Sequence, residues 1–437
     1  MKNWKRFLAL ALAAAMCLVL LSGCGSSETS AAASASGSAA EEAASGETVE
    51  LNALFMKQAG YSEEDITAMT DAFMAENPGI KVNLTFVAYE ELEAKILTAA
   101  ATGGYDVVLG DCIWPAQFAQ AGLVLDVSDR IAEIDTSDIF TGALESCMYN
   151  GKYYGLPWLN DVKYMFVNTA MLEQAGITEV PSTMEELIAD AKILKEQGIC
   201  EYPIAGCWSQ AECLICDYTI YSGICGGSFV DENNNPTLNS AENIQALQMM
   251  SDMLTDGLAN PNSLEMIEDD VLSTFAAGNA AFAINWTYQY ASMNDAASSS
   301  VVGDAVIIPV PGAAETSATV NGGMPLMITA GSKHPDEAWT YMTYISGKDV
   351  QAQYSANALP MWKSLYTDET VIANAGAEVV EASLTQYDYI KNRPMVPYYN
   401  ELSTYMQTEL QNVLLGNESA EDALNTLQAK AEELAAK

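Results

Sequence analysis

Short apolar runs alternate with amphipathic segments from residue 49 onward, and this alternation predicts strands separated by helices. The run Val49–Phe55 predicts the first β-strand. Ser62 then precedes three consecutive acidic residues, a combination that favours the N-terminus of a helix. Ile66, Met69 and Phe73 follow at helical spacing and predict the buried face of that helix.

The alternation continues beyond Asn77–Gly79, whose Asn-Pro-Gly sequence ends the first helix. The next predicted elements are a strand at Ile80–Phe86, a helix at Glu90–Ala101 and a buried strand at Tyr105–Leu109. A β-α-β-α-β order predicts a parallel sheet with helices on both faces, and such sheets bind ligands beyond the carboxyl ends of their strands. Asp111 and Trp114 follow the last of these strands and are therefore candidate ligand contacts.

Two later helices are predicted from their capping residues, to which we assign a structural role only. Ser182 and Glu185 form a capping-box pattern, and the helix that they begin is expected to end at Gly198. Ser419 is expected to cap a helix near the C-terminus. The expected inward faces are Leu187, Ile188, Ala191 and Leu194 in the first helix and Ala423, Leu424 and Leu427 in the second.

The N-terminus has the layout of a secretory signal, in which a basic head precedes an apolar run. That run, Phe7–Leu21, is shorter than the ~20 residues of a comfortable membrane span. The tetrapeptide Leu21–Cys24 follows it and resembles a bacterial lipobox. We predict that residues 1–23 are a lipoprotein signal peptide and that Cys24 carries the lipid. The alternative is an ordinary signal peptide with a chance cysteine.

Residues 24–48 are predicted to be a flexible tether. From Gly25 to Glu47 the chain is small and polar, with no large apolar residue. Such a segment cannot bury enough apolar surface to fold. A tether between a lipid and a folded body holds a soluble domain next to a membrane.

Composition and charge narrow the possible partners of that body. The chain has 437 residues, half of them hydrophobic, which is enough for two domains with their own cores. Its 58 acidic residues give a formal net charge of −40. So negative a surface repels phosphate backbones and anionic lipids, which excludes nucleic-acid binding, and it disfavours a strongly anionic ligand.

The cysteines leave an odd number to be explained. Cys17 leaves with the signal peptide and Cys24 is assigned to the lipid, so seven remain, and at least one of them is unpaired or pairs between chains. Cys213 and Cys216 form a C-x-x-C motif, which suits a redox pair or half of a metal site. There is no second such motif, and the single histidine is distant in sequence. We expect small buried thiols together with up to two disulfides.

Five short motifs lie in order between residues 73 and 398. They are Phe73–Val82 (FMAENPGIKV), Gly151–Pro157 (GKYYGLP), Gly176–Leu187 (GITEVPSTMEEL), Phe275–Phe282 (FAAGNAAF) with Trp286, and Asn392–Tyr398 (NRPMVPY). Together they resemble the family 1 extracellular solute-binding proteins, which serve ABC importers. The last motif resembles the trehalose/maltose-binding branch of that family.

The resemblance implies an α/β fold of the type II periplasmic-binding-protein class. Each of two lobes then has a mainly parallel sheet flanked by helices, and a ligand is enclosed between them by hinge closure. The first lobe is expected at residues 49–157 and 308–346, and the second at 158–307 and 347–437. The implied partners are a carbohydrate, the ABC permease subunits and their cytoplasmic ATPase. We expect a monomer without a cofactor or a metal ion.

The resemblance also assigns ligand-binding residues. Sugar recognition uses aromatic rings against the apolar faces of a pyranose, with carboxylates, amides or Arg at its hydroxyl groups. For several of these residues a purely structural role is the competing interpretation, such as core packing for the aromatic rings or a salt bridge for Arg393. Met324 stands where relatives often have Trp after the paired glycines, which weakens any inference of the same disaccharide. The residues assigned to substrate binding are Asp111, Trp114, Trp158, Asp161, Glu212, Trp286, Tyr288, Gly322, Gly323 and Arg393.

Other functions have weaker support in the sequence. The residues Asp231, Asn233, Asn235 and Glu242 have the spacing of a calcium loop, but Pro236 replaces the required glycine, which favours a β-turn. Nucleophile-elbow, phosphate-loop and dinucleotide fingerprints are missing from the sequence, and we predict that the protein is not an enzyme. A secreted glycosidase, which needs only two carboxylates, is a remote alternative. The main alternative is the same architecture with a polyol, polyamine or peptide as ligand.

Overall fold

The computed structural model describes residues 48–57, 60–100 and 103–437. The predicted signal peptide, the lipidation of Cys24 and the tether up to residue 47 lie outside the described residues. The strands are β1 (Val49–Met56), β2 (Ile80–Val87), β3 (Val107–Leu109), β4 (Met148–Tyr149), β5 (Lys152–Tyr153), β6 (Leu156–Leu159), β7 (Lys163–Asn168), β8 (Ile204–Ala205), β9 (Phe282–Trp286), β10 (Ala305–Ile308), β11 (Thr319–Val320), β12 (Met324–Ile328) and β13 (Ile390–Lys391).

The α-helices lie between and around these strands. They are α1 (Glu63–Glu76), α2 (Tyr89–Ala100), α3 (Pro115–Gln120), α4 (Ser128–Ile131), α5 (Thr141–Glu145), α6 (Thr169–Ala175), α7 (Met184–Glu196), α8 (Glu212–Ile224), α9 (Ala241–Thr255), α10 (Glu268–Ala276), α11 (Tyr288–Met293), α12 (Pro335–Ile345), α13 (Lys348–Gln353), α14 (Glu369–Ala375), α15 (Ala377–Gln386), α16 (Tyr399–Leu414) and α17 (Ala420–Ala435). Short 3-10 helices occupy Thr136–Asp138, Pro261–Leu264, Lys363–Thr367 and Tyr387–Tyr389.

The first sheet has the strand order β2-β1-β3-β12-β6. Strand β1 pairs with β2 and β3 in parallel, as the β-α-β-α-β pattern predicts. Strand β12 is antiparallel to both β3 and β6. Strand β6 therefore runs in the same direction as β1, β2 and β3, and β12 is the one reversed strand of the five. The expected mainly parallel sheet is confirmed here.

The second sheet has the order β10-β7-β9-β8. Strand β7 is antiparallel to both of its neighbours, and β8 and β9 form the one parallel pair among the described strands of this sheet. Strands β8, β9 and β10 therefore run in one direction and β7 runs in the other, so this sheet too is mainly parallel with one reversed strand. The reversal of β7 was not predicted, because buried antiparallel and parallel strands both read as continuous apolar runs.

Strand β7 shows how the second sheet separates two apolar clusters. Met165 and Val167 pack into a cluster with α7, α8, α9, α16 and α17, whereas Tyr164 and Phe166 pack into another with α10, α14 and α15. This alternation is the two-residue period of a strand. A third large cluster surrounds the first sheet. Each fully buried large apolar side chain in these clusters stabilises the fold by about 1.5–3 kcal/mol.

Most predicted helix boundaries agree with the structure. Ser62 caps α1 in a full capping box with Asp65, and Ser419 caps α17. The capping box predicted at Ser182 and Glu185 is wrong by one residue: Thr183 is the N-cap of α7 and pairs with Glu186. Both pairs satisfy the same sequence rule, and the choice follows from the contact of Met184 N with the carbonyl oxygen of Gly312.

The cysteines of the described residues are free thiols, and all of them are buried. The buried thiols were expected, and the disulfides left open by the sequence are not formed among them. The set is Cys112, Cys147, Cys200, Cys207, Cys213, Cys216 and Cys225. Across residues 48–57, 60–100 and 103–437, helices lack the combination of length and apolar character that a membrane span requires.

Candidate functional site

A buried arginine joins parts of the chain that belong to different sheets. Asp111 follows β3 of the first sheet, Glu212 begins α8 on the second sheet, and Arg393 follows β13. The Arg393 Nη2 lies 2.9 Å from Asp111 Oδ1, and its Nη1 lies 2.8 Å from Glu212 Oε1. The Arg393 side chain is 2 % exposed. The structure thus brings together three residues that the sequence assigned to ligand binding.

Hydroxyl groups complete the shell around this ion-paired group. Tyr399 and Ser403 on α16 each donate to Glu212 at 2.5 Å, and Tyr89 donates to Asp111 at 2.8 Å. Burial alone would lower the pKa of Arg393, but the neighbouring carboxylates outweigh it and hold that pKa well above its usual value. The guanidinium is therefore a permanent cation.

One donor of this guanidinium is not used by the protein. The buried Nε of Arg393 has no hydrogen-bond partner among the described residues. A buried polar atom without a partner costs about 1–3 kcal/mol of free energy. A hydrogen bond from this Nε to a ligand oxygen would recover that cost and strengthen binding.

A glycine-rich turn links Arg393 to the predicted stacking ring. The carbonyl oxygen of Asn321 accepts from Arg393 Nη2 at 3.4 Å. The next residue, Gly322, lies so close to Trp286 that a Cβ on it would be 2.3 Å from the ring. A Cβ on Gly323 would be 2.8 Å from Ser146. The two glycines therefore allow backbone to approach both sides of the site more closely than any other residue would.

Asp161 lies in the same region, just before strand β7 of the second sheet. Its Oδ1 accepts from Thr287 Oγ1 at 2.5 Å and from Val162 N at 2.9 Å, and its carbonyl oxygen accepts from Gly322 N at 2.9 Å. Burial raises the pKa of Asp161 to about 6, against the opposing effect of these hydrogen bonds. Asp161 is therefore a carboxyl group that titrates close to neutral pH.

Trp286 rests on a buried lysine that sequence reasoning did not find. In the β7–β9 pair Lys163 stands opposite Trp286, and its ammonium lies 5.0 Å from the centroid of the indole ring. Lys163 is fully buried and pairs with Asp217 at 2.7 Å and Glu268 at 3.6 Å. The indole Nε1 in turn donates to Glu268 at 3.3 Å. A lysine at the start of the mostly apolar strand KYMFVN was the available signal.

The other predicted aromatic contacts fall in different environments. Trp114 is buried and stacks on Tyr89, with ring centroids 5.9 Å apart, so it supports Asp111 through Tyr89. Tyr288 is half-buried beside Asp269 and Glu268, and burial raises its pKa well above the usual value. Trp158 is fully buried in the core of the first sheet, with its ring 4.8 Å from that of Tyr61.

The core position of Trp158 favours the packing interpretation for that residue. Its Nε1 donates to the carbonyl oxygen of Ile345, and its second ring neighbour is Phe55 at 5.3 Å. Trp158 is 0 % exposed, and both of its ring neighbours belong to the cluster around the first sheet.

The segment with calcium-loop spacing forms a turn. The Asp231 carboxylate accepts from the backbone N–H groups of Asn233 and Asn235 and from the Asn235 side chain, each at 2.8 Å. Val230 and Pro236 form an antiparallel bridge across it. The turn predicted from the Asn- and Pro-rich sequence is confirmed.

Known proteins resemble this chain over most of its length. A family model described as bacterial extracellular solute-binding protein matches residues 59–352. A probable ABC transporter-binding protein of Deinococcus radiodurans is 28% identical over 346 residues, which are 76% of this chain and 80% of that protein.

Two solved structures extend the comparison to the fold. Maltose-bound MalE3 of T. maritima has a TM-score of 0.81 and 24% identity, and the match covers 89% of this chain and all of that one. A solute-binding protein of Agrobacterium radiobacter K84 in complex with ribitol has a TM-score of 0.77 and 26% identity, covering 88% of this chain and 98% of that one. The predicted two-lobed α/β fold class is confirmed.

Proposed function

The chain belongs to the family of bacterial extracellular solute-binding proteins, and from this premise we propose that it is the substrate-binding component of a carbohydrate ABC importer. The ligand class follows from the chemistry of the site. The observation that carries it is the turn at Asn321 and Gly322. The Arg393 guanidinium donates to the Asn321 carbonyl oxygen, and the Trp286 ring packs against Gly322. An indole ring beside a buried, partly unpaired guanidinium suits one sugar ring, with an apolar face and a hydroxyl edge.

The proposed binding site comprises one group from each side of the turn. Trp286 covers the apolar face of the sugar, and Arg393 donates to a hydroxyl oxygen through its free Nε. Asp111 and Glu212 hold the guanidinium in place, and Asp161 accepts from another hydroxyl group. The supporting residues are Trp114, Tyr288, Gly322 and Gly323.

The mechanism is capture without covalent change. The sugar enters between two lobes with the boundaries predicted from the sequence, and hinge closure removes water from both of its faces. The closed form then docks on the permease subunits, and the cytoplasmic ATPase drives transfer. We propose that the body acts as a monomer outside the cytoplasmic membrane, held there by a lipid on Cys24 and the tether at residues 24–48.

A polyol is the second candidate ligand. The Agrobacterium protein that shares 26% identity was solved with ribitol. An open-chain polyol offers hydroxyl groups to Arg393 and Asp161 but no rigid apolar face for Trp286. Dependence of affinity on the indole ring therefore separates the two candidates.

A thermal-shift screen of the full chain tests this proposal. The ligands are mono-, di- and oligosaccharides, polyols and polyamines, each over a concentration series. A ligand that binds only the folded state raises the melting temperature as its concentration exceeds Kd. We expect a sugar to give the largest shift, together with a smaller radius of gyration in X-ray scattering.

Two results would contradict the proposal. A shift with polyamines alone would assign the site to cations. Hydrolysis of the bound sugar during long incubation would indicate a glycosidase. The Arg393→Met variant is the control, because a shift that persists in it comes from another site.

A further inference from the structure

Two thiols lie together directly behind the proposed site. Cys207 follows β8, and Cys213 is the second residue of α8. The two Sγ atoms and a carboxylate oxygen of Glu268 all lie within 4.8 Å of one another. The Cys207 Sγ is also 3.8 Å from the carbonyl oxygen of Cys213 itself. One side chain therefore lies against both the thiol and the backbone of the other.

We propose that Cys207 and Cys213 are a redox-active dithiol. A small disulfide oxidant converts it to an intramolecular disulfide by thiol–disulfide exchange. The two sulfurs lie within 4.8 Å of each other and must approach to the S–S bond length of about 2.05 Å, which requires movement of both side chains and of residues 208–212 between them. Gly206 directly precedes Cys207, and a Cβ on it would be 2.4 Å from the Trp208 ring. The proposal goes beyond the binding of any solute.

The reaction has two exchange steps. A thiolate at Cys213 attacks the oxidant disulfide, forms a mixed disulfide and releases one thiol. Cys207 then loses its proton to the solvent or to the departing thiolate, attacks the Cys213 sulfur and releases the second thiol. The two cysteines lose two electrons and two protons, and the oxidant gains both.

The surroundings assign different roles to the two sulfurs. Cys213 is the more accessible, at 5 % exposed against 0 % for Cys207, and its Sγ lies 3.3 Å from the Ser209 hydroxyl. The Lys163 ammonium lies 3.0 Å from Cys207 Sγ and stabilises a thiolate there. Burial nevertheless raises the pKa of Cys207 well above its usual value, and the Lys163 ammonium opposes that rise.

Lys163 also disfavours a metal ion at these residues. Two thiolates and a carboxylate form a plausible donor set for zinc. The ammonium already occupies this cluster, at 3.0 Å from the Cys207 sulfur and 3.6 Å from the Glu268 carboxylate. A divalent cation there would face a buried positive charge at close range. A disulfide adds no charge and leaves the Lys163–Asp217 pair intact.

The dithiol touches the proposed ligand site at two points. Lys163 contacts both Cys207 and the Trp286 ring, and Glu212, which holds Arg393, immediately precedes Cys213. Disulfide formation moves the first turn of α8 and removes the thiol that Lys163 contacts. The expectation that oxidation changes sugar affinity rests on the proposed function, whereas formation of the bond does not.

Peptide mapping tests the bond without any ligand. The full chain is incubated with oxidised glutathione, alkylated under denaturing conditions and digested with chymotrypsin, which cleaves after Trp208 and Leu214 and so separates the two cysteines. We expect a linked pair of peptides containing Cys207 and Cys213 and the loss of two alkylatable thiols, both reversed by dithiothreitol. Cys207→Ser and Cys213→Ser abolish the linked pair, and Cys207→Ser stops at a mixed disulfide of Cys213 with glutathione, whereas Cys225→Ser, at the far end of α8, retains the linked pair.

Three outcomes would overturn the proposal. They are no change in thiol count after oxidation, a bond that uses Cys200 or Cys216, and protection of the thiols by zinc that a chelator releases. Because the wild-type map decides each of these, failure of a variant to fold does not affect the conclusion. If the bond forms and sugar affinity stays unchanged, only the link to the binding site is refuted.

Discussion

Substitution of Arg393 should lower the free energy of unfolding, although the residue is assigned to ligand binding. Arg393→Met replaces the guanidinium with an apolar side chain of similar length and leaves Asp111 and Glu212 facing each other. Their side chains are 8 % and 13 % exposed, so water screens them poorly. Breaking a buried ion pair by removing one partner costs about 3–5 kcal/mol, because an uncompensated charge stays behind.

The matched control removes all three charges at once. In the variant Arg393→Met, Asp111→Asn, Glu212→Gln, the amide oxygens still accept from Tyr89 and Tyr399, and the amide nitrogen at position 212 donates to the Ser403 hydroxyl, which reverses that one hydrogen bond. Replacing a whole buried ion group is often neutral, so this variant should unfold close to the wild type. Neither variant should bind sugar, since both lack the Nε donor.

Urea unfolding followed by tryptophan fluorescence measures the difference at pH 7 and at about pH 4.5. The single variant should regain part of its stability at the lower pH, because protonation removes the uncompensated negative charge. Two results would refute the reasoning. One is a loss below about 1 kcal/mol in the single variant, the value of an exposed pair. The other is a triple variant as unstable as the single one.

Three further predictions concern the ring, the anchor and a titrating carboxyl group. Trp286→Ala should weaken sugar binding by about 2–4 kcal/mol in calorimetry, while Trp339→Ala, which removes a ring outside the proposed site, should keep wild-type affinity once its folding is verified. Cys24→Ala should release the protein from membranes into the soluble fraction, and retention at high salt would contradict the lipid assignment. The pKa of Asp161 is raised to about 6, above its value of roughly 3.9 in an unfolded chain, so the native state binds the extra proton between these values. Lowering the pH from 7 to 4.5 should therefore raise the melting temperature of the wild type relative to Asp161→Asn, and a constant difference would exclude that titration.

Local rules predicted the first sheet side well because the determining interactions are short-range. Ser62 and its acidic neighbours are enough to position α1, since a capping box closes within four residues. The same rule failed by one residue at α7 because Ser182 and Thr183 are chemically equivalent caps. The structure pairs Thr183 with Gly312 in an isolated bridge, a contact distant in sequence that the local pattern does not contain.

The site was predictable to the extent that its residues follow strand ends or match the family motifs. Asp111, Glu212 and Arg393 were assigned and lie together, but nothing local indicated that the three pair with one another. Trp158 and Lys163 show the limit in opposite directions. Whether an aromatic ring faces a cleft or a core, and whether a lysine finds buried partners, depends on packing between segments far apart in the chain.

The antiparallel strand β12 has a consequence for how the protein acquires its structure. Cys112 and Asn321 are in contact although 209 positions apart, and β12 begins just after Asn321. The centre of the first sheet cannot close until the chain has emerged past Ile328, and contacts so distant in sequence make folding slow. The first sheet is therefore expected to close only after most of the chain has been synthesised, later than its N-terminal β-α-β-α-β segment alone would suggest.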